Sequence, residues 1–221
     1  MQHDFWLARW QQNQIGFHNT DINHHLKRNW SSLDLPANST VFVPLCGKSK
    51  DLLWLRQQGY QVIGIELSRL AVEAFFTENH LSFTSSQRDG FECFETEGIK
   101  IYCGDFFELS KSLLNTVSAV YDRASLVALP FEMRTSYASK MKEIIPDGVS
   151  TLLIAFNYPQ HEMQPPPFSV SYAEVQRLFA EWCDVYRVYS EDITNNEPHF
   201  KARGVSEIHE DVYVLTKQKD S

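Results

Sequence analysis

The chain has 221 residues, 20 Lys and Arg against 28 Asp and Glu for a formal net charge of −8, and side chains that are 43% apolar and 13% aromatic. A chain of this length buries a full core as one domain, which excludes general disorder and any need for metal or disulfide staples. Its acidic balance repels phosphate backbones, and no Lys/Arg run offsets it, so no nucleic-acid partner is expected.

Asp4 to Gln14 carries Phe5, Trp6, Leu7 and Trp10 partly at helical spacing, and Ile22 to Trp30 reads as a second helix. The first strong strand is Thr40 to Leu45 (TVFVPL), running into Cys46-Gly47-Lys48. A helix follows over Ser49 to Gln58, stopped by Gly59. Gln61 to Leu67 (QVIGIEL) is a second buried strand, and Ser68 caps a helix reaching about Asn79. Residues 91 to 103 alternate around Glu97-Gly98 as a hairpin whose second arm leads to Gly104-Asp105. Val117 to Asp122 is a strand, Phe131 to Ile145 a helix and Pro146-Asp147-Gly148 a turn. Ser150 to Asn157 (STLLIAFN) is the most continuous apolar strand, followed by a proline-rich loop over Pro159 to Pro167. Ser171 to Trp182 is a helix with the capping spacing Ser171-x-x-Glu174. Val185 to Ser190 and Asp211 to Thr216 read as two closing strands with no helix between them.

Strand alternating with helix at this spacing predicts an α/β fold with a mostly parallel sheet, helices on both faces and an antiparallel C-terminal edge. No linker or repeat divides the chain, so residues 1–221 are expected to form a single domain. No stretch approaches 18 consecutive apolar residues and the N-terminus lacks a signal-peptide pattern, so a soluble cytoplasmic protein with no membrane partner is expected. Cys46, Cys93, Cys103 and Cys183 are widely spaced, with no zinc-ligand pattern. The His18, His24, His25 spacing builds no known ligand set either, so no metal is expected.

In an open α/β sheet, ligands sit beyond the carboxyl ends of the strands, where the first strand-to-helix loop offers backbone N–H groups. That loop is Pro44-Leu45-Cys46-Gly47-Lys48-Ser49. Its Gly-Lys-Ser invites a P-loop reading, but position 42 is Phe42 where that motif requires glycine. The dinucleotide fingerprint fails as well, since Gly47 is the loop's only glycine. Glu66 ends the second strand 19 residues after Gly47, where a carboxylate can accept both ribose hydroxyls; a solvated strand end is the alternative. Asp105 could reach the base, and a fourth strand ends in Tyr121-Asp122-Arg123. Acidic strand ends beside a glycine-poor loop suit a cofactor with ribose, adenine and a sulfonium but no phosphate, namely S-adenosylmethionine.

The segments FVPLCGKSKDLLWLRQQGYQVIGIELS, YDRASLVAL, PPPFSV and FWLARWQQNQIGFH together resemble the thiopurine S-methyltransferase family, in its bacterial form, from Trp6 to about Thr216. The resemblance implies a class I S-adenosylmethionine-dependent methyltransferase (Rossmann-like) fold with residues 1–30 as a helical lid. It implies cofactor contacts at Trp10, Leu45, Glu66 and Arg123, with Phe17 as an aromatic substrate contact and Arg123 also near the substrate. The acceptor is then a small thiol such as a thiopurine, or a selenium or tellurium species, and the enzyme is expected to act as a monomer. Asn195 to Gly204 depart from the animal enzymes, which puts substrate contacts from that end in doubt.

Other residues keep two readings. Lys48 either orients the cofactor carboxylate or lies on the surface, and Trp6 packs in the core or shields the reaction with Trp10. Arg123 is a planar donor for a carboxylate or an anionic sulfur. The Pro165-Pro166-Pro167-Phe168 loop is stiff, and forms either a wall of the acceptor pocket or a surface connection. Cys46 is expected to pack rather than act as a nucleophile. Aromatic thiols are already partly ionised near neutrality, so no catalytic base is assigned, with Asp122 or a water on Arg123 the groups able to take a proton.

Overall fold

The computed structural model describes residues 3–16, 18–19 and 21–219; Phe17, the expected substrate contact, lies outside them. The chain divides into two compact units, residues 1–121 with 144–146, and residues 122–143 with 147–221.

In the first unit, α1 (His3–Gln11) ends three residues earlier than its apolar pattern suggested, because Asn13 turns the chain at a positive φ of 53°. Asn23 caps α2 (His24–Asn29), its Oδ1 accepting the Leu26 N–H at 3.0 Å. Then come β1 (Thr40–Val43), α3 (Asp51–Gln57), β2 (Gln61–Glu66) and α4 (Arg69–Glu78). Ser68 caps α4 as expected, accepting the Ala71 N–H at 3.3 Å. The sheet continues with β3 (Thr84–Arg88), β4 (Phe91–Thr96), β5 (Ile99–Cys103) and β6 (Val117–Arg123), the last two residues of which are assigned to the second unit.

Strand order in this unit is β3-β4-β5-β2-β1-β6. β1 runs parallel to β2 and β6, and β2 parallel to β5. The apolar runs of β1 and β2 reflect burial on both faces, the usual condition of parallel strands. The expected hairpin is β4–β5, while β3 was not foreseen. Because β1, β2 and β5 are parallel, their carboxyl ends share one edge, with Val43 beside Gly64 and Glu66 beside Cys103. Asp51, buried at the start of α3, ties this end together by accepting the Asn23 N–H and the Tyr121 hydroxyl, each at 2.9 Å.

The second unit contains α5 (Phe131–Ile144), β7 (Ser150–Asn157), α6 (Tyr172–Phe179), β8 (Cys183–Asp192), α7 (Pro198–Ala202) and β9 (His209–Lys217). Its strand order is β7-β9-β8, with β9 antiparallel to both neighbours. The expected antiparallel edge is present, but α7 intervenes between its last two strands, correcting the helix-free expectation. Phe200 of α7 packs with Tyr158, Met163, Ile193, Val205 and Ile208 in a small core beneath the two long loops, which gives so short a helix its stability. Among the described residues, no helix is long and apolar enough to cross a membrane.

Candidate active site

The loop after β1 is folded back tightly. Leu45 has a φ of 43° and Gly47 a φ of 53°, and the Cys46 N–H donates to the Ile65 carbonyl of β2 at 2.9 Å. Two left-handed residues so close together reverse the chain and turn its amides toward the strand ends; only the second is a glycine, so Leu45 carries backbone strain. Glu66 closes the turn. Its Oε2 accepts the Gly47 N–H at 2.9 Å and its Oε1 the Ser68 N–H at 2.8 Å.

Glu66 is 6% exposed. Burial pushes its carboxyl up to about 7, against the lowering effect of the Ser68, Gly47 and Leu67 amides. An ionised carboxylate has about four lone-pair sites, and these two amides occupy one on each oxygen. With the Leu67 amide as a third neighbouring donor, acceptor capacity remains on the carboxylate for a hydroxyl. This pattern fits the vicinal hydroxyls of a ribose, and a loop with one glycine and no cradle of successive amides does not fit a triphosphate. The donor and acceptor set thus suits S-adenosylmethionine.

Trp10 of α1 is buried, and a β-carbon added at Gly47 would lie 3.2 Å from one of its ring carbons. The structure therefore brings Trp10, the loop carrying Leu45, and Glu66 together. Trp6, one turn earlier, is half-buried and packs edge-on against Phe5 with ring centroids 5.3 Å apart. Asp105 faces the same strand edge, but it accepts the Phe107 N–H at 2.9 Å and pairs with His3 Nε2 at 2.9 Å, which links α1 to the end of β5.

Lys48 is turned to the α4 side, its mostly buried side chain pairing with Glu78 at 2.7 Å, so in this structure its ammonium is engaged by a carboxylate of the chain itself. Cys46 packs against Gly64, where an added β-carbon would meet its Sγ at 2.7 Å. Burial and then the neighbouring Glu66 push its thiol well above the ordinary range. A thiol held neutral is a poor nucleophile, in keeping with a packing role.

In the second unit, Arg123 ends β6 half-buried, and Ala124 follows at a positive φ of 61°. Asp122 is 2% exposed and accepts the Tyr137 hydroxyl at 2.7 Å. Burial pushes its carboxyl up to about 6, while Tyr137, Ser125 and the Leu126 amide hold it down. Tyr137 was invisible in the sequence because it sits in mid-helix with no motif around it. The proline-rich loop is held at several points: the Phe168 N–H donates to Val127 O at 2.6 Å, Tyr158 Oη to Pro167 O at 2.6 Å, and Arg203 to the Gln164 carbonyl. A groove of about 400 Å³ runs beside it, lined by Pro130, Phe131, Arg134, Gln160, Phe168 and Glu174.

Comparison with known proteins assigns this architecture. Residues 1–218 match the family model described as thiopurine S-methyltransferase. A thiopurine S-methyltransferase of Nitrosospira multiformis is 47% identical over 215 residues, covering 97% of this chain and 98% of the relative. One from Shewanella baltica is 41% identical over 218 residues, covering 99% and 100%. A solved S-adenosylmethionine-dependent methyltransferase from Anabaena variabilis shares the fold with a TM-score of 0.67 at 13% identity, covering 98% of this chain and 95% of that one.

Proposed function

The chain belongs to the thiopurine S-methyltransferase family, and from that premise we propose that it methylates the sulfur of aromatic or heterocyclic thiols, thiopurines included. We place it in the cytoplasm, as a monomer whose whole chain is one catalytic domain with residues 1–30 as its lid. The methyl donor is S-adenosylmethionine, which supplies an electrophilic methyl group on a sulfonium when bound.

The observation that carries this reading is the Glu66 carboxylate, fixed on the Gly47 and Ser68 amides at the strand end with acceptor capacity remaining. Glu66 binds the ribose hydroxyls, and the turn through Leu45 and Gly47 lets backbone approach the rest of the cofactor. Trp10, packed on that turn, excludes water from it. Arg123 binds an anionic group, either the cofactor carboxylate or the acceptor thiolate, and Phe17 is assigned to the acceptor ring. Methyl transfer from sulfonium to sulfur removes positive charge, so orientation and a dry site account for most of the rate. No residue is assigned as a general base. Asp122 already accepts a buried hydroxyl and supports the chain rather than a substrate proton.

The test is methyl transfer from labelled S-adenosylmethionine to 6-mercaptopurine and, separately, to selenite- or tellurite-derived species. Transfer to the thiol is expected. Methylation confined to the selenium or tellurium species would move the acceptor assignment, and tight cofactor binding without turnover of any acceptor would leave only a nucleoside-binding module.

A further inference from the structure

Strand geometry sets Asp122 and Arg123 on opposite faces of β6. Asp122 faces α5, where the fully buried Tyr137 donates to its Oδ2 at 2.7 Å, and Arg123 faces away. The next residue, Ala124, adopts the left-handed region with a φ of 61°. A side-chain-bearing residue there is strained and persists only where its surroundings hold it. The surroundings are the Asp122 carboxyl, tied to α5 through Tyr137, and the Ser125 hydroxyl, which donates to the Arg123 carbonyl at 3.5 Å across the turn. Arg123 is thus fixed on both sides along the chain, by a buried carboxylate before it and a strained turn after it.

We propose that Asp122 and Tyr137 form a positioning pair that sets the direction of Arg123 toward the anionic group it binds. The proposal rests on the role given to Arg123 above. Tyr137 and Asp122 act through the backbone of residues 122–126 and touch neither donor nor acceptor. Within the second unit, Tyr137 is the titratable group facing the Asp122 carboxyl. The charged residues of α5 are engaged elsewhere: Arg134 with Glu174, Lys140 with Glu143 and Lys142 with Glu181, while Glu132 is exposed. Losing the Tyr137 hydroxyl removes a bond to the ionised carboxylate, so the Asp122 carboxyl rises from about 6.

The experiment is a double-mutant cycle between Tyr137→Phe and Arg123→Ala. Calorimetric affinity for S-adenosylmethionine and the KM and kcat for an aromatic thiol are read on each protein, with melting temperature as a control. Arg123→Ala is expected to weaken affinity, raise KM or lower kcat about a hundredfold. Tyr137→Phe is expected to change the same parameter in the same direction about tenfold, and to add nothing in the Arg123→Ala background. Read as kcat at saturating S-adenosylmethionine, where the effect of Glu66 on cofactor affinity drops out, the acid limb moves to higher pH in Tyr137→Phe and is lost in Asp122→Asn, which keeps the acceptor oxygen and carries the comparison alone if Tyr137→Phe fails to fold. Additive losses, or a loss that follows melting temperature alone with the acid limb in place, would overturn the positioning pair and leave the role of Arg123 standing. An Arg123→Ala protein with unchanged affinity and kinetics would overturn both.

Discussion

The Glu66 carboxylate and the Gly47 amide, 19 residues apart in sequence, meet at 2.9 Å. The contact makes one side chain both a brace for the loop and the acceptor that the ribose needs. It also links proton binding to folding. Burial raises the Glu66 carboxyl from 4.5 to about 7, so in that window the folded protein holds a proton that the unfolded chain has lost. The stability of the unliganded protein is therefore fully present below pH 4.5 and declines as pH rises through 7, by about 3 kcal/mol. Glu66→Gln should remove most of this difference, read as urea midpoints at pH 5 and pH 8. Cofactor affinity should run the other way in the native protein, weakening below about pH 7 as the ribose acceptor is protonated. A pH-independent affinity would detach Glu66 from the cofactor.

Gly47 meets two demands at once, a φ of 53° and a Trp10 ring carbon 3.2 Å from where its β-carbon would be. Gly47→Ala should therefore destabilise the protein by about 1–2 kcal/mol from backbone strain, plus a steric part borne by Trp10. Trp10→Ala removes only the steric part. A cycle of the two substitutions, followed by urea unfolding, should show coupling of about 0.5 kcal/mol or more, as for residues in direct contact. Strict additivity would mean that the indole does not rest on the loop.

Elements whose burial is written in their pattern were legible in the sequence. β7 occupies the same residues as its apolar run, and Ser68 caps α4 because its hydroxyl can satisfy an orphan amide. β3 was not legible, since Thr84–Arg88 is exposed along its length and owes its conformation to backbone pairing with β4. The five residues of α7 are too few to show a helical period. Glu66 was found from its strand-end position, but its two loop amides were not, because burial and loop folding decide them. Asp105, which the sequence placed within reach of the base, caps a turn and pairs with His3, a partner 102 positions earlier that local reading cannot supply.

The Arg134–Glu174 pair was equally hidden, its members lying 40 residues apart on α5 and α6. Arg134 is 3% exposed and its guanidinium donates to Glu174 Oε2 at 2.6 Å, to Leu129 O at 2.8 Å and to Ser169 O at 3.1 Å. Removing the arginine leaves the Glu174 carboxylate only its longer 3.5 Å pairing with Arg177 and strands two carbonyls. Arg134→Met should cost about 3–5 kcal/mol in urea unfolding. The double variant Arg134→Met with Glu174→Leu should recover part of that, since no unpaired charge remains. An equal cost in single and double variants would show that the lost carbonyl bonds, rather than the stranded charge, dominate.

Cys46 provides the last prediction. Its thiol is buried against Gly64 and held neutral by burial and by Glu66, so it should resist alkylation by iodoacetamide at pH 8 in the native protein and react at the ordinary thiol rate in urea. Cys46→Ala should then leave methyl transfer within a few-fold of the parent, at a cost in stability of about 1 kcal/mol for the lost sulfur packing. Gly64→Ala should be much more disruptive, because its new methyl group meets Sγ at 2.7 Å with sheet backbone on either side. Combining it with Cys46→Ala should relieve most of that clash. Loss of turnover in Cys46→Ala with its melting temperature unchanged would instead give the thiol a direct part in the reaction.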